Sequence, residues 1–120
     1  MVEKARILIV EDESIIALDI KKTLTNFGYD VLAIVSRGED VLNCVVEKNP
    51  NLVLMDIVLK GKVDGIEAAR QLQKHVDVPV IYLTAHTDTA TVQRLKKTAP
   101  YGLLIKPVSE SELYSTIETA

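Results

Sequence analysis

Five polar residues stand directly after short apolar runs. Glu11 and Asp12 follow Ile7 to Val10, Asp56 follows Leu52 to Met55, Thr84 follows Val80 to Leu83, and Lys106 follows Leu103 to Ile105. Brought together, these carboxylates, hydroxyl and ammonium suit phosphorus chemistry beside a hard cation. Three carboxylates within a few ångströms repel one another, and Lys106 balances only one charge. A divalent ion that takes two or three protein oxygens and completes its shell with water describes Mg2+, whereas Zn2+ lacks its usual Cys and His ligands. An aspartate beside such an ion can act as a nucleophile toward phosphorus, forming an acyl phosphate. The transferring group then needs charge stabilisation more than covalent help. Lys106, Thr84 and the backbone N–H groups near Val58 and Ala85 can supply it, and the small Ala85 leaves the nucleophile approachable. Asp56 is the nucleophile candidate because it stands alone after its run, while Glu11 and Asp12 share a loop with Glu13.

Five apolar runs, the fifth being Val31 to Val35, alternate with five longer stretches of helical character. Continuous β-branched runs suit parallel strands, and the alternation predicts a doubly wound (βα)5 sheet with helices on both faces. In the first stretch Ile16, Ile20, Leu24 and Phe27 share a face and Gly28 supplies a stop. Ser36 and Glu39 have capping-box spacing ahead of Val41, Leu42, Val45 and Val46, and Asn49-Pro50 ends that helix. Ile66, Ala69, Leu72 and Val76 mark the third, with Asp64-Gly65 as its turn and start. The fourth is rich in threonine, with a thin stripe of Ala90 or Val92, Leu95 and Ala99, and is expected to be the least stable. The fifth opens on Ser109 and Glu112, again at capping-box spacing. In a flavodoxin-like sheet of order 2-1-3-4-5 the first and third strands flank the switch point, where ligands bind at the carboxyl ends of the strands. Glu11, Asp12, Glu13 and Asp56 are therefore expected to cluster at one sheet edge.

The 120 residues suit one domain, residues 1–120. Fourteen basic against seventeen acidic residues give a net charge of -3, and no basic run exceeds two, so direct nucleic-acid binding is not expected. No apolar run reaches the roughly 18 to 20 residues of a membrane span, and a cytoplasmic location is expected. The single cysteine, Cys44, reads as a small buried apolar residue.

The order and spacing of Ile7-Leu8-Ile9-Val10-Glu11-Asp12-Glu13, Leu54-Met55-Asp56, Asp64-Gly65, Leu83-Thr84-Ala85 and Ile105-Lys106-Pro107 resemble the receiver domain of two-component response regulators, over essentially the whole chain. The resemblance implies that Asp56 accepts a phosphoryl group from the phosphohistidine of a sensor histidine kinase or phosphotransfer protein. It also implies that Mg2+ is held by Asp12 and Asp56 directly, by Glu11 through water, and by the Val58 backbone carbonyl. Thr84, Lys106 and the Ala85 N–H would contact the phosphoryl group, and Val58 and His86 occupy the positions that tune its hydrolysis. The chain departs from the pattern at Lys60 in place of a frequent proline, in a Gly61-Lys62-Val63 loop one residue longer, at Leu103 in place of a switch aromatic, and at Glu11 in place of a more frequent aspartate. An apolar Val58 cannot position an attacking water, so a long-lived phosphoryl state is expected.

On this reading the protein is a switch rather than an enzyme. Phosphorylation is expected to alter the face of helix 4, strand 5 and helix 5, which would engage a downstream effector or pair two copies in a homodimer. A haloacid dehalogenase-like phosphatase is the first rival, but it wants a second aspartate where Val58 stands. A receiver-like interaction module that binds partners without phosphorylation is the second. A flavin site is disfavoured because the first loop is acidic where a phosphate cradle should be rich in Gly, Ser and Thr.

Overall fold

The structure is a computed structural model that describes residues 5–85 and 88–120. Five parallel strands, β1 (Arg6–Val10), β2 (Asp30–Val35), β3 (Leu52–Asp56), β4 (Val80–Thr84) and β5 (Gly102–Ile105), form one sheet in the order β2-β1-β3-β4-β5. Between and after them run α1 (Ser14–Asn26), α2 (Val41–Lys48), α3 (Gly65–Gln73), α4 (Thr89–Lys96) and α5 (Glu110–Glu118). Alternate side chains of each central strand point to opposite faces. Leu8, Val10, Val53, Met55 and Tyr82 build one core with Val41, Val45, Ile66, Leu72 and Leu95 of α2, α3 and α4. Ile7, Ile9, Leu54, Ile81, Leu83 and Leu104 build the other with Leu24 of α1 and Leu113 and Ile117 of α5. All residues of β3 and β4 are buried, as the continuous runs predict, while the edge strands β2 and β5 are only partly covered.

Most helix ends follow their sequence signals. Gly28 takes the left-handed conformation after α1 (φ 94°), and Asn49 does so after α2 (φ 52°), its N–H reaching the Val45 carbonyl at 2.8 Å. The Ser109 hydroxyl accepts the Glu112 N–H at 3.1 Å and caps α5. Three expectations are corrected. The Ser36–Glu39 capping box does not form, because a 3-10 turn (Gly38–Asp40) precedes α2 and the Glu39 carboxylate instead accepts the Val63 N–H at 3.2 Å. α3 stops at Gln73, although Val76 still packs on the core. Ala90 in α4 and Ala99 beyond its end are both exposed, and the buried positions are Leu95 and, just past the helix, Thr98. Cys44 is half-buried and burial pushes its thiol up, in keeping with an unreactive side chain.

Candidate phosphoacceptor and metal site

Strand register brings the predicted residues together. Val10 is paired with Met55, so Glu11 lies abreast of Asp56. Asp56 is paired with Leu83, and Thr84 with Ile105. The Lys106 N–H donates to the Thr84 carbonyl at 2.8 Å, which fixes the last two strand ends side by side. The site therefore sits between β1 and β3, where connections leave to opposite faces of the sheet.

Glu11, Asp12 and Asp56 each offer a carboxylate oxygen within 4.8 Å of the others. Glu11 and Asp56 are buried and Asp12 is half-buried. The Lys106 ammonium bridges the two buried acids, with Nζ 2.9 Å from Glu11 Oε1 and 3.2 Å from Asp56 Oδ2. The Val58 N–H points to Asp56 Oδ1 at 3.3 Å, and the Glu13 N–H to Glu11 Oε2 at 3.2 Å. Thr84 is buried at the strand end and Ala85 is exposed beside it. Val58 turns its side chain outward. His86 lies outside the described residues. The fourth expected carboxylate is a correction: Glu13 is exposed and does not belong to the group, because its backbone turns away into α1.

Three carboxylates against one ammonium leave an excess of negative charge in a partly dry pocket, and this donor set fits a hard divalent cation. Burial, then the neighbouring Asp56, raise the Glu11 carboxyl above its ordinary value of 4.5, with Lys106 pulling the other way. Burial opposes the charge on Lys106, but Glu11 and Asp56 outweigh it and raise its pKa. A raised Glu11 means that the folded chain keeps a proton the unfolded chain releases, so its contribution to stability is lost as pH rises through that interval. Without divalent metal, thermal unfolding midpoints are expected to fall with pH just above 4.5 more steeply in the native chain than in Glu11→Gln. Parallel curves would refute this.

Two features of the site gave no clear sequence signal. Gly65 donates its N–H to the Ile57 carbonyl at 2.8 Å, and a Cβ there would run into the Asp56 carbonyl oxygen and lie 2.9 Å from Ile57 Cα. Asp-Gly thus marks a turn and also the close approach that seats the chain leaving Asp56. Asp64 caps α3 by accepting the Glu67 N–H at 2.9 Å, and pairs with Arg94 on α4 at 2.8 Å. No local pattern links positions so far apart in sequence.

A five-stranded parallel sheet of this order, with an acidic pocket at its switch point and a lysine reaching into it, defines a flavodoxin-like α/β domain. A family model described as the response regulator receiver domain matches residues 7–118, and the chain belongs to that family. It is 32% identical over 115 residues to the transcriptional regulatory protein PdtaR of Mycobacterium tuberculosis, covering 96% of this chain and 56% of that protein. It is 33% identical over 114 residues to the DNA-binding response regulator MtrA of Mycobacterium leprae, covering 95% of this chain and 50% of that one. The chain spans about half the length of these curated relatives. Among solved structures, the signal receiver domain of a modulated diguanylate cyclase from Desulfovibrio desulfuricans G20 superimposes with a TM-score of 0.93 at 37% identity, covering 98% of this chain and 94% of the other. Receiver domains are regulatory phosphoacceptor modules of two-component signalling. Among the described residues no helix is long and apolar enough to cross a membrane.

Proposed function

We propose that Asp56 takes a phosphoryl group from the phosphohistidine of a sensor histidine kinase or phosphotransfer protein. A carboxylate oxygen of Asp56 attacks phosphorus as the N–P bond breaks to a histidine ring protonated on its other nitrogen, leaving an aspartyl phosphate and a neutral imidazole that keeps that proton. The carrying observation is the Asp56 carboxylate itself, buried at the end of β3, 3.2 Å from Lys106 Nζ and grouped with Glu11 and Asp12. Lys106, Thr84 and the Ala85 N–H stabilise the charge on the transferred group. Asp12, Asp56, the Val58 carbonyl and, through water, Glu11 would hold Mg2+. That ion would supply positive charge to neutralise the charge developing on the transferred group.

The rim of the site supports both ends of a signalling role. Ile15 and Leu18, exposed on α1 beside the acidic loop, offer a kinase an apolar foothold. Tyr101, directly before β5, and Leu103 and Ile105 on it lie exposed at alternate positions. Alternate residues share one face of a strand, so these three suit an effector or a second copy of the chain. Phosphorylation turns the Asp56 carboxylate into an acyl phosphate carrying about two negative charges, a net gain of about one beside Lys106 and Thr84, and α4 follows Thr84 after a short connection. The DNA binding named for MtrA belongs to a protein about twice as long, and the effector read by this chain is proposed only by its face.

Incubation with acetyl phosphate and Mg2+, followed by intact mass, tests the reading. One added phosphoryl group is expected in the native chain, with none in Asp56→Asn and none without divalent metal. No adduct in the native chain would favour an interaction module that works unphosphorylated. Followed after removal of donor, Val58→Asn is expected to lose the adduct several-fold faster, because its amide can orient a water that valine cannot. An unchanged rate would remove Val58 as the source of a long-lived state.

A further inference from the structure

α4 is held differently from its neighbour. Of its eight residues Leu95 alone is buried, whereas α3 buries five. Two polar tethers supplement that packing. At its carboxyl end the buried Tyr82 hydroxyl meets Thr98 Oγ1 at 2.8 Å, and Thr98 Oγ1 also donates to the Leu95 carbonyl at 2.8 Å. One turn nearer the site, Arg94 makes a two-pronged pair with Asp64, Nη1 to Oδ2 at 2.8 Å and Nη2 to Oδ1 at 3.1 Å. Burial opposes the charge on Asp64, but Arg94 and the Glu67 amide outweigh it and hold its carboxyl below the usual range.

The position of that pair matters more than its strength. Asp64 is joined directly to Gly65, whose backbone is pressed against the Asp56 and Ile57 main chain. A cavity of about 270 Å3 separates Ile57, Val58 and Leu59 from Thr91 and Arg94, with Asp64 at its margin. Arg94 is thus the charged group through which α4 grips the loop that leaves Asp56.

We propose that Arg94 is a positioning residue for the phosphoacceptor site: its pair with Asp64 latches α4 to the loop after Asp56 in the resting chain and opens when a phosphoryl group arrives. The proposal rests on the phosphoacceptor reading above. A tether made in the resting state and broken in the phosphorylated one adds to the work of switching. By linkage, removing it strengthens binding of a phosphoryl analogue by the factor the latch withheld. The pair is about half exposed on the arginine side, so that factor is about two- to five-fold. If the pair instead held the loop ready for phosphorus, its removal would weaken binding.

Calorimetric titration with beryllofluoride at saturating Mg2+ separates these cases in the native chain, Arg94→Gln, Asp64→Asn and the double variant. Asparagine keeps the cap on α3, and Arg94 is exposed, so folding is retained. Each single variant is expected to bind about two- to five-fold more tightly, and the double variant no more tightly than either. In the native chain, beryllofluoride is also expected to shift the Arg94 Nε–H resonance, which a purely structural residue would not show. Unchanged or weaker binding in Arg94→Gln, or additive effects in the double variant, would overturn the latch alone. A native chain that binds no beryllofluoride would overturn the phosphoacceptor reading together with it.

Discussion

Gly65→Ala is expected to cost about 3 kcal/mol of stability and to cut phosphoryl uptake at Asp56 at least tenfold, although residue 65 carries no chemistry. Adding one methyl to a well-packed place costs about 1–3 kcal/mol, occasionally more. Here the added carbon meets main chain rather than the end of a flexible side chain: the Asp56 carbonyl oxygen and, at 2.9 Å, Ile57 Cα. β3 is buried along its whole length and cannot retreat. The loop after Asp56 must move instead, and with it the Val58 N–H that reaches Asp56 Oδ1. Urea unfolding measures the first effect and intact mass after acetyl phosphate the second. A variant with native stability and native uptake would show that this close approach is dispensable.

Lys106→Met is expected to lower stability by about 2–3 kcal/mol at neutral pH without divalent metal. Removing one partner of a buried pair typically costs about 3–5 kcal/mol because the other charge is stranded. The Lys106 side chain is 24% exposed, so water recovers part of that. Glu11 and Asp56 would be left facing each other without a cation. The sign with pH follows: Glu11, whose carboxyl burial and Asp56 already raise, takes up a proton as pH falls and its repulsion with Asp56 is relieved, so the loss shrinks toward lower pH. Mg2+ should restore part of it, since an ion that binds only the folded chain stabilises it, by about 2.7 kcal/mol at a hundred times its dissociation constant. Denaturant curves with and without Mg2+ at two pH values test all three statements. A loss that is the same at every pH would mean that Lys106 contributes by packing rather than charge.

The sheet was legible because its signals are local and repeat. Continuous runs such as Leu52 to Met55 read as buried strands, and the polar residues ending four of the five runs announced where the site would lie. The site residues Glu11, Asp56 and Lys106 were found this way, since parallel strands in one order leave their carboxyl ends together. The corrections share a cause. Ser36 and Glu39 have capping spacing, but Glu39 was claimed by the Val63 N–H, a partner supplied by tertiary packing. Ala99 fits the helical stripe, yet Thr98 is the buried residue because the Tyr82 hydroxyl waits for it inside the core. Glu13 belongs to the acidic run, but the chain has already turned into α1. The Arg94–Asp64 pair and the crowding at Gly65 were invisible for the same reason: each depends on contacts between segments that only the folded chain brings together.

The central claim is that the carboxylate of Asp56, and no other in the acidic group, becomes phosphorylated. Borohydride reduction after treatment with acetyl phosphate and Mg2+ converts an acyl phosphate to an alcohol, and peptide mass spectrometry then locates it. Homoserine is predicted at position 56, with Glu11 and Asp12 unreduced. Reduction at Glu11 or Asp12, or a phosphoryl group that resists borohydride and maps to a hydroxyl residue, would contradict the account.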